Sequence, residues 1–183
     1  MHTRYALTSD APESGAPVEA QVTALFNRLR LPVCRYLTLM LGNTGEAEEL
    51  TQETFIRLGS YLRAGHPFDE ARFWLFRVAH NLAANVLRRR RFTTHLGPDT
   101  WEGLCRKLAA PTSDPERLLA DRQRHRRLAG VLAVLSPRER RSLALRAEGL
   151  RYREIAEVFG ISHAAAVDSA RRAVRKLSRA LED

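Results

Sequence analysis

The stretch "REIAEVFGIS", residues 153–162, leaves the chain little choice of local structure. It is a short helix, a glycine, an apolar residue and a serine, and another helical segment follows. Ala156 is small, which lets a second helix cross close by. Gly160 supplies the positive φ that the turn needs. Ile161 fills the space between the helices, and Ser162 caps the second one. These residue types at this spacing predict a helix-turn-helix. An ordinary helical hairpin with a basic solvated face fits the same pattern.

The rest of the chain is helical in the same way. Apolar positions step by three and four, and no alternating strand pattern competes. Val22, Leu25, Phe26 and Leu29, then Val33, Tyr36, Leu37 and Met40, predict helix from about 18 to 41. Pro32 is expected to break or kink it. "LGNTG" is a stop, and Thr44 is placed to cap a helix over 45–63. Ala47, Leu50, Thr51, Phe55, Leu58 and Leu62 form its inward stripe. A loop over 63–69 precedes a third helix, "RFWLFRVAHNLAANVLRRRR", with Leu75, Val78, Ala79, Leu82 and Val86 inward.

Residues 93–114 lack periodicity and read as a linker, with one short helix near Trp101 to Leu108. Asp114 and Pro115 signal a helix start, running to about Leu135. Ser136 with Glu139 forms a second signal, a capping box before a helix that Gly149 ends. The expected fold class is all-α: two small helical domains over 18–92 and 115–183, joined by the linker and preceded by a mobile tail over 1–17.

Charge narrows the function. The 183 residues carry a formal net charge of +9, and the pI is about 10.6. An acidic polymer is the simplest partner. The charge is also segregated: residues 46–70 hold six acids and two arginines, whereas 71–91 hold six arginines and no acid. An acidic face beside basic segments fits a protein that meets two kinds of partner.

"GEAEELTQETFIRL", 45–58, leaves Glu49, Gln52, Glu53 and Arg57 off the inward stripe. Two exposed acids on one amphipathic helix are not a catalytic pair, which needs convergence in a cleft. They form either a solvated face or a docking surface for a basic partner. In the third helix, Asn81 and Asn85 are mildly unfavourable for helix. They cap a neighbour, face water or hydrogen-bond a base. Arg88 to Arg91 suit the helix C-terminus whether or not a phosphate is present.

Nothing points to an enzyme, a cofactor or a metal. The six histidines show neither HxxxH nor HExxH spacing. Cys34 and Cys105 lie far apart, which fits a reducing compartment. No apolar signal core opens the chain, so a cytoplasmic protein is expected.

Taken in order, "EAEELTQETFIRL", "FWLFRVAHNLAANVLRRRR" and "LSPRERRSLALRAEGLRYREIAEVFGIS" resemble the bacterial RNA polymerase sigma factors of the sigma-70 class, in their extracytoplasmic-function branch. The resemblance covers about 20–92 and 115–181. It implies a non-catalytic subunit that gives core polymerase its promoter specificity. Glu49, Gln52, Glu53 and Arg57 match the segment that binds the β′ clamp helices, and the second domain would meet the β flap. The loop carrying Phe68 and the helix carrying Trp74, Arg77, Asn81, Asn85 and Arg88, Arg89, Arg90 and Arg91 match the surface that melts and reads the −10 element. Asn81 stands beside the family's pocket for a base drawn out of the stack.

Tyr152, Ser162, His163, Ala164, Val167, Asp168, Arg171, Arg172 and Arg175 match the part that reads the −35 element. Here the chain departs from the family. Val167 and Asp168 replace Lys or Arg and Ser, and Ser169 replaces a common Arg. An Asp at base edges repels phosphate but accepts from cytosine N4. The resemblance also implies an anti-sigma factor as partner. A helix-turn-helix regulator acting without core polymerase, and an interaction module without DNA binding, are the alternative readings.

Overall fold

The computed structural model describes residues 16–93 and 134–182, with side chains described over 16–90 and 134–180. The expected tail, the linker with its short helix, and the helix starting at Asp114 lie outside the described residues. The described residues are helical and contain no strand.

Helices α1 (Val18–Leu41), α2 (Thr44–Arg63) and α3 (Ala71–Thr93) form the first unit. A 3-10 turn at Phe68–Glu70 leads into α3. Its core is Leu25, Leu29, Val33, Leu37, Ala47, Phe55, Leu58, Leu75 and Ala79. Phe26 meets Phe55 edge-on, with ring centroids 5.1 Å apart.

Two local expectations are corrected, and of the two outcomes expected at Pro32 the break is excluded. Pro32 does not break the first helix; α1 runs through it. An interior proline costs about 3 kcal/mol. Its neighbours Leu29, Val33, Tyr36 and Leu37 are all buried, each worth about 1.5–3 kcal/mol, so packing on both sides outweighs the lost bond. The cap of α2 is Asn43 rather than Thr44: the Asn43 side chain accepts from the Glu46 N–H at 3.2 Å. The buried stripe of α3 is Ala71, Leu75, Phe76, Ala79 and Ala83, while Val78, Leu82 and Val86 are half-buried. The stripe is rotated because a second body covers the flank that carries Phe76.

That body is α4 (Pro137–Ala147), α5 (Tyr152–Phe159) and α6 (His163–Glu182). The capping box forms as the sequence predicts. The Ser136 hydroxyl accepts from the Glu139 N–H at 3.3 Å, and Glu139 accepts from the Ser136 N–H at 2.8 Å. Gly149 and Gly160 both take positive φ, 88° and 62°. After each, the next N–H reaches back to close the helix: Leu150 to the Leu145 carbonyl at 3.1 Å, and Ile161 to the Ala156 carbonyl at 3.0 Å. Both residues that follow these glycines are apolar and pack on the core.

The two units pack α4 and α5 against α1 and α3. Tyr36 and His80 share a hydrogen bond of 2.7 Å. Tyr36 meets Phe76 edge-on at 5.8 Å, and His80 meets Phe159 of α5 at 5.2 Å. Burial, with the Arg141 charge adding to it, pushes the His80 imidazole down to about 4. Burial pushes the Tyr36 phenol up.

Candidate nucleic-acid interface

Two rows on α3 do different work. Positions 72, 76 and 80 face the second unit. Positions 74, 77, 81, 85 and 88 recur at steps of three and four and so form another row. In that row Arg77, Asn81, Asn85 and Arg88 are exposed and Trp74 is half-buried. Arg77 lies over Phe73, 5.9 Å from the ring centroid. Arg88 donates to the Asn85 side-chain oxygen at 2.6 Å. Asn81 makes no side-chain hydrogen bond among the described residues. A solvated amide flanked by two guanidinium groups can pair with a base edge while its neighbours hold phosphate.

The described arginines of the run, Arg88, Arg89 and Arg90, do not share one setting. Arg88 and Arg89 are exposed, and Arg89 has an interaction of its own within the chain. Arg90 turns inward. It donates to the Leu41 carbonyl at 3.0 Å and pairs with Glu46. Two residues past Arg88 and so on the other side of the helix, it closes the end of α1 rather than facing outward with Arg88. The Arg91 side chain lies outside the described residues. Phe68 is half-buried against the core, just before α3.

Tyr61 and His66 belong to none of the sequence motifs. Their rings stack at 4.3 Å with planes 11° apart, and Tyr61 also stacks on Trp74 at 4.4 Å. The available signal was Gly65 before His66 and Pro67 after it.

On α2, Glu49, Gln52 and Arg57 are exposed and Glu53 is half-buried. Arg57 pairs with Glu53 at 2.7 Å, an exposed pair worth little by itself. Beside Gln52 a groove of about 590 Å³ runs between α1 and α2, lined by Val22, Phe26, Phe55, Ile56 and Gly59 among others. Ile56 is 68% exposed. The polar face therefore adjoins an apolar one, which the charge pattern alone did not reveal.

In the second unit Ser162 accepts from the Ala165 N–H at 3.2 Å, as an N-cap does. His163, Ala164 and Asp168 are exposed and Val167 is half-buried, so the first turns of α6 are open. Arg171, Arg172 and Arg175 continue the exposed face. Ser169 is buried and hydrogen-bonds Ser142 at 3.2 Å, so an arginine there would have to leave the core. Glu139 takes Lys176 at 2.8 Å and lies 3.7 Å from Arg172. The bond from Lys176, ahead of those from Ser136, holds the Glu139 carboxyl below its usual range. Tyr152 is half-buried beneath the Arg146 guanidinium, 5.1 Å from its ring centroid.

Among the described residues no group of three or more His, Cys, Asp or Glu could hold a metal ion. No described helix is long and apolar enough to cross a membrane.

Comparison with known proteins agrees with this architecture. Residues 25–93 match sigma-70 region 2, and residues 125–180 match sigma-70 region 4. The ECF RNA polymerase sigma factor BldN of Streptomyces coelicolor is 30% identical over 164 residues, 87% of this chain and 60% of that protein. The chain thus spans about three fifths of BldN's length. The RNA polymerase sigma factor CarQ of Myxococcus xanthus is 31% identical over 161 residues, 86% of this chain and 87% of that protein. Among solved structures, the sigma factor RpoE in complex with the anti-sigma factor NepR from Bartonella quintana shares the fold, with a TM-score of 0.54 at 19% identity over 87% of this chain and 95% of that one. The chain belongs to the sigma-70 family of RNA polymerase sigma factors, in the extracytoplasmic-function group.

Proposed function

We propose that this chain is the dissociable specificity subunit of a core RNA polymerase and directs promoter-specific initiation without catalysing a reaction itself. The row of half-buried Trp74 and exposed Arg77, Asn81, Asn85 and Arg88, following the acidic face of α2 in the chain, carries the reading. Glu49, Gln52, Glu53 and Arg57 dock the β′ clamp helices, and the apolar groove beside Gln52 and Ile56 extends that contact. The row on α3 then meets the −10 element as it opens. The N-terminal turns of α6 meet the −35 duplex, with Ser162, His163, Ala164, Val167 and Asp168 toward base edges and Arg171, Arg172 and Arg175 toward phosphates. Tyr152 supports that end of the second unit, which also meets the β flap. Residues 18–92 and 115–183 are the two functional domains. An anti-sigma factor that covers one or both is the natural inhibitor.

Run-off transcription with purified core polymerase and a cognate promoter tests this reading. Glu53→Lys should abolish core binding while the isolated chain still binds duplex DNA. A folded wild-type chain that fails to bind core would overturn it.

A further inference from the structure

The first two turns of α6 carry little hydrogen-bonding chemistry. Ala164, Ala165, Ala166 and Val167 are apolar, and Ala166 and Ser169 are buried. The Ser162 hydroxyl is engaged as a cap, accepting from the Ala165 N–H at 3.2 Å. Beyond it, two exposed polar side chains remain, His163 and Asp168. A neutral imidazole both donates and accepts, so His163 discriminates weakly between base edges. Asp168 is different, because an ionised carboxylate only accepts.

Asp168 is also uncommitted. Among the described residues it has neither an ion pair nor a side-chain hydrogen bond. Arg172, one turn on, lies 3.7 Å from Glu139 instead. The exposed Arg171, three residues on, stands on the same side of the helix as Asp168. Its charge offsets the repulsion between the carboxylate and the DNA backbone.

A carboxylate in a major groove needs a donor on a base edge. Cytosine N4 and adenine N6 are the two that the groove presents. Adenine N6 lies between N7 of its own ring and O4 of the paired thymine, and both acceptors repel the carboxylate. Cytosine N4 has one such neighbour, guanine O6, and the C5–H edge on its other side. We infer that Asp168 is a specificity-determining residue that selects a cytosine, through its 4-amino group, in the duplex read by α6. A cation at 167 or 168 would favour guanine instead, so the departure from the family at these positions changes the base that is read. The inference rests on the proposed −35 role of α6 and names a base that this role requires.

The test uses the full chain without core polymerase to select from a library of duplexes with a randomised central segment. Wild type should enrich a motif with one near-invariant cytosine. Asp168→Ala should lower the preference at that position by about 5- to 150-fold and keep the rest of the motif. Asp168→Asn, whose amide pairs with adenine N6 and N7 together, should shift it to adenine. Replacing the cytosine by 2-pyrimidinone, which lacks the amino group, should weaken wild type by a similar factor and leave Asp168→Ala unmoved. The same motif in wild type and Asp168→Ala, an equal response of both to 2-pyrimidinone, or a wild type that selects no sequence would each overturn the inference. The specificity-subunit reading fails separately, by loss of core binding, which this selection does not use.

Discussion

Arg72 of α3 donates to the main-chain carbonyl of Glu148 at 3.0 Å, across the boundary between the two units. The Arg35 guanidinium lies 3.9 Å from the Glu148 carboxylate. The end of α4 presents carbonyls without helical partners and the negative pole of its dipole. Two cations from the first unit meet it. Gly149 follows, and a Cβ there would sit 2.8 Å from Arg72 Nη1, at a φ of 88° that already disfavours one.

This contact should set how tightly the free chain closes. A hydrogen bond from a charged donor is worth on the order of 1.5 kcal/mol, less where water reaches it. Arg72→Ala should shift the free chain toward more open forms, seen as a larger radius of gyration by small-angle scattering. Gly149→Ala should do so more strongly, because it adds backbone strain to the displaced arginine. Unchanged scattering in both variants would mean that Tyr36, Phe76, His80 and Phe159 alone hold the units together.

His80 should make that closure sensitive to acid. Its imidazole is lowered from 6.5 to about 4 in the closed chain. A chain that opens or unfolds frees the ring to take a proton below about 6.5, while the closed form stays neutral. Stability is therefore undiminished above pH 6.5, falls between 6.5 and 4, and levels off below 4. The loss is at most about 3 kcal/mol. The midpoint of thermal unfolding should fall over this range in wild type and fall less in His80→Phe. Equal slopes would place the acid sensitivity elsewhere.

Glu139 ties α6 to its support in α4. One carboxylate, 4% exposed as a residue, caps α4 through Ser136 and holds Lys176 of α6 at 2.8 Å. Glu139→Gln keeps the shape and part of the cap but loses the charged bond. It should destabilise the second unit by on the order of 2 kcal/mol. Because its carboxyl is held low, the Glu139 contribution is present above its unfolded value near 4.5 and is lost as pH falls through its lower folded value. Denaturant melts of wild type and Glu139→Gln should therefore converge in acid, as pH falls below about 4.5.

Much of this architecture was legible in the sequence where a single residue decides the local backbone. Ser136 with Glu139, Gly160 and Ser162 each admit few conformations, and each takes the expected one. What was not legible depends on which bodies touch. Pro32 is tolerated because packing brackets it. Phe76 is buried because the second unit covers that flank of α3. Arg90 stands in a run of four identical residues, and only the end of α1 and Glu46 single it out. Ser169 is buried against Ser142, a pairing between α4 and α6 that sequence spacing does not encode. Tyr61 and His66 are far less conspicuous than an arginine run, because stacking depends on ring geometry that spacing does not encode.

Asn81 and Arg88 share one row and should nevertheless fail differently. Asn81 is a neutral, exposed amide; if it meets a base edge, removing it changes selectivity and leaves counterion release untouched. Arg88 is exposed beside Asn85; if it meets a phosphate, removing it releases about one counterion fewer, and the slope of log affinity against log salt should become shallower by about 0.7 to 0.9. With core polymerase bound, Asn81→Ala should reduce promoter opening by roughly 5- to 150-fold, the equivalent of about 1–3 kcal/mol for one base contact, with an unchanged salt slope. Arg88→Ala should weaken all promoters alike and flatten the slope. Open-complex lifetimes measured from 50 to 200 mM salt separate the two, and a salt-slope change in Asn81→Ala equal to that in Arg88→Ala would remove Asn81 from base recognition.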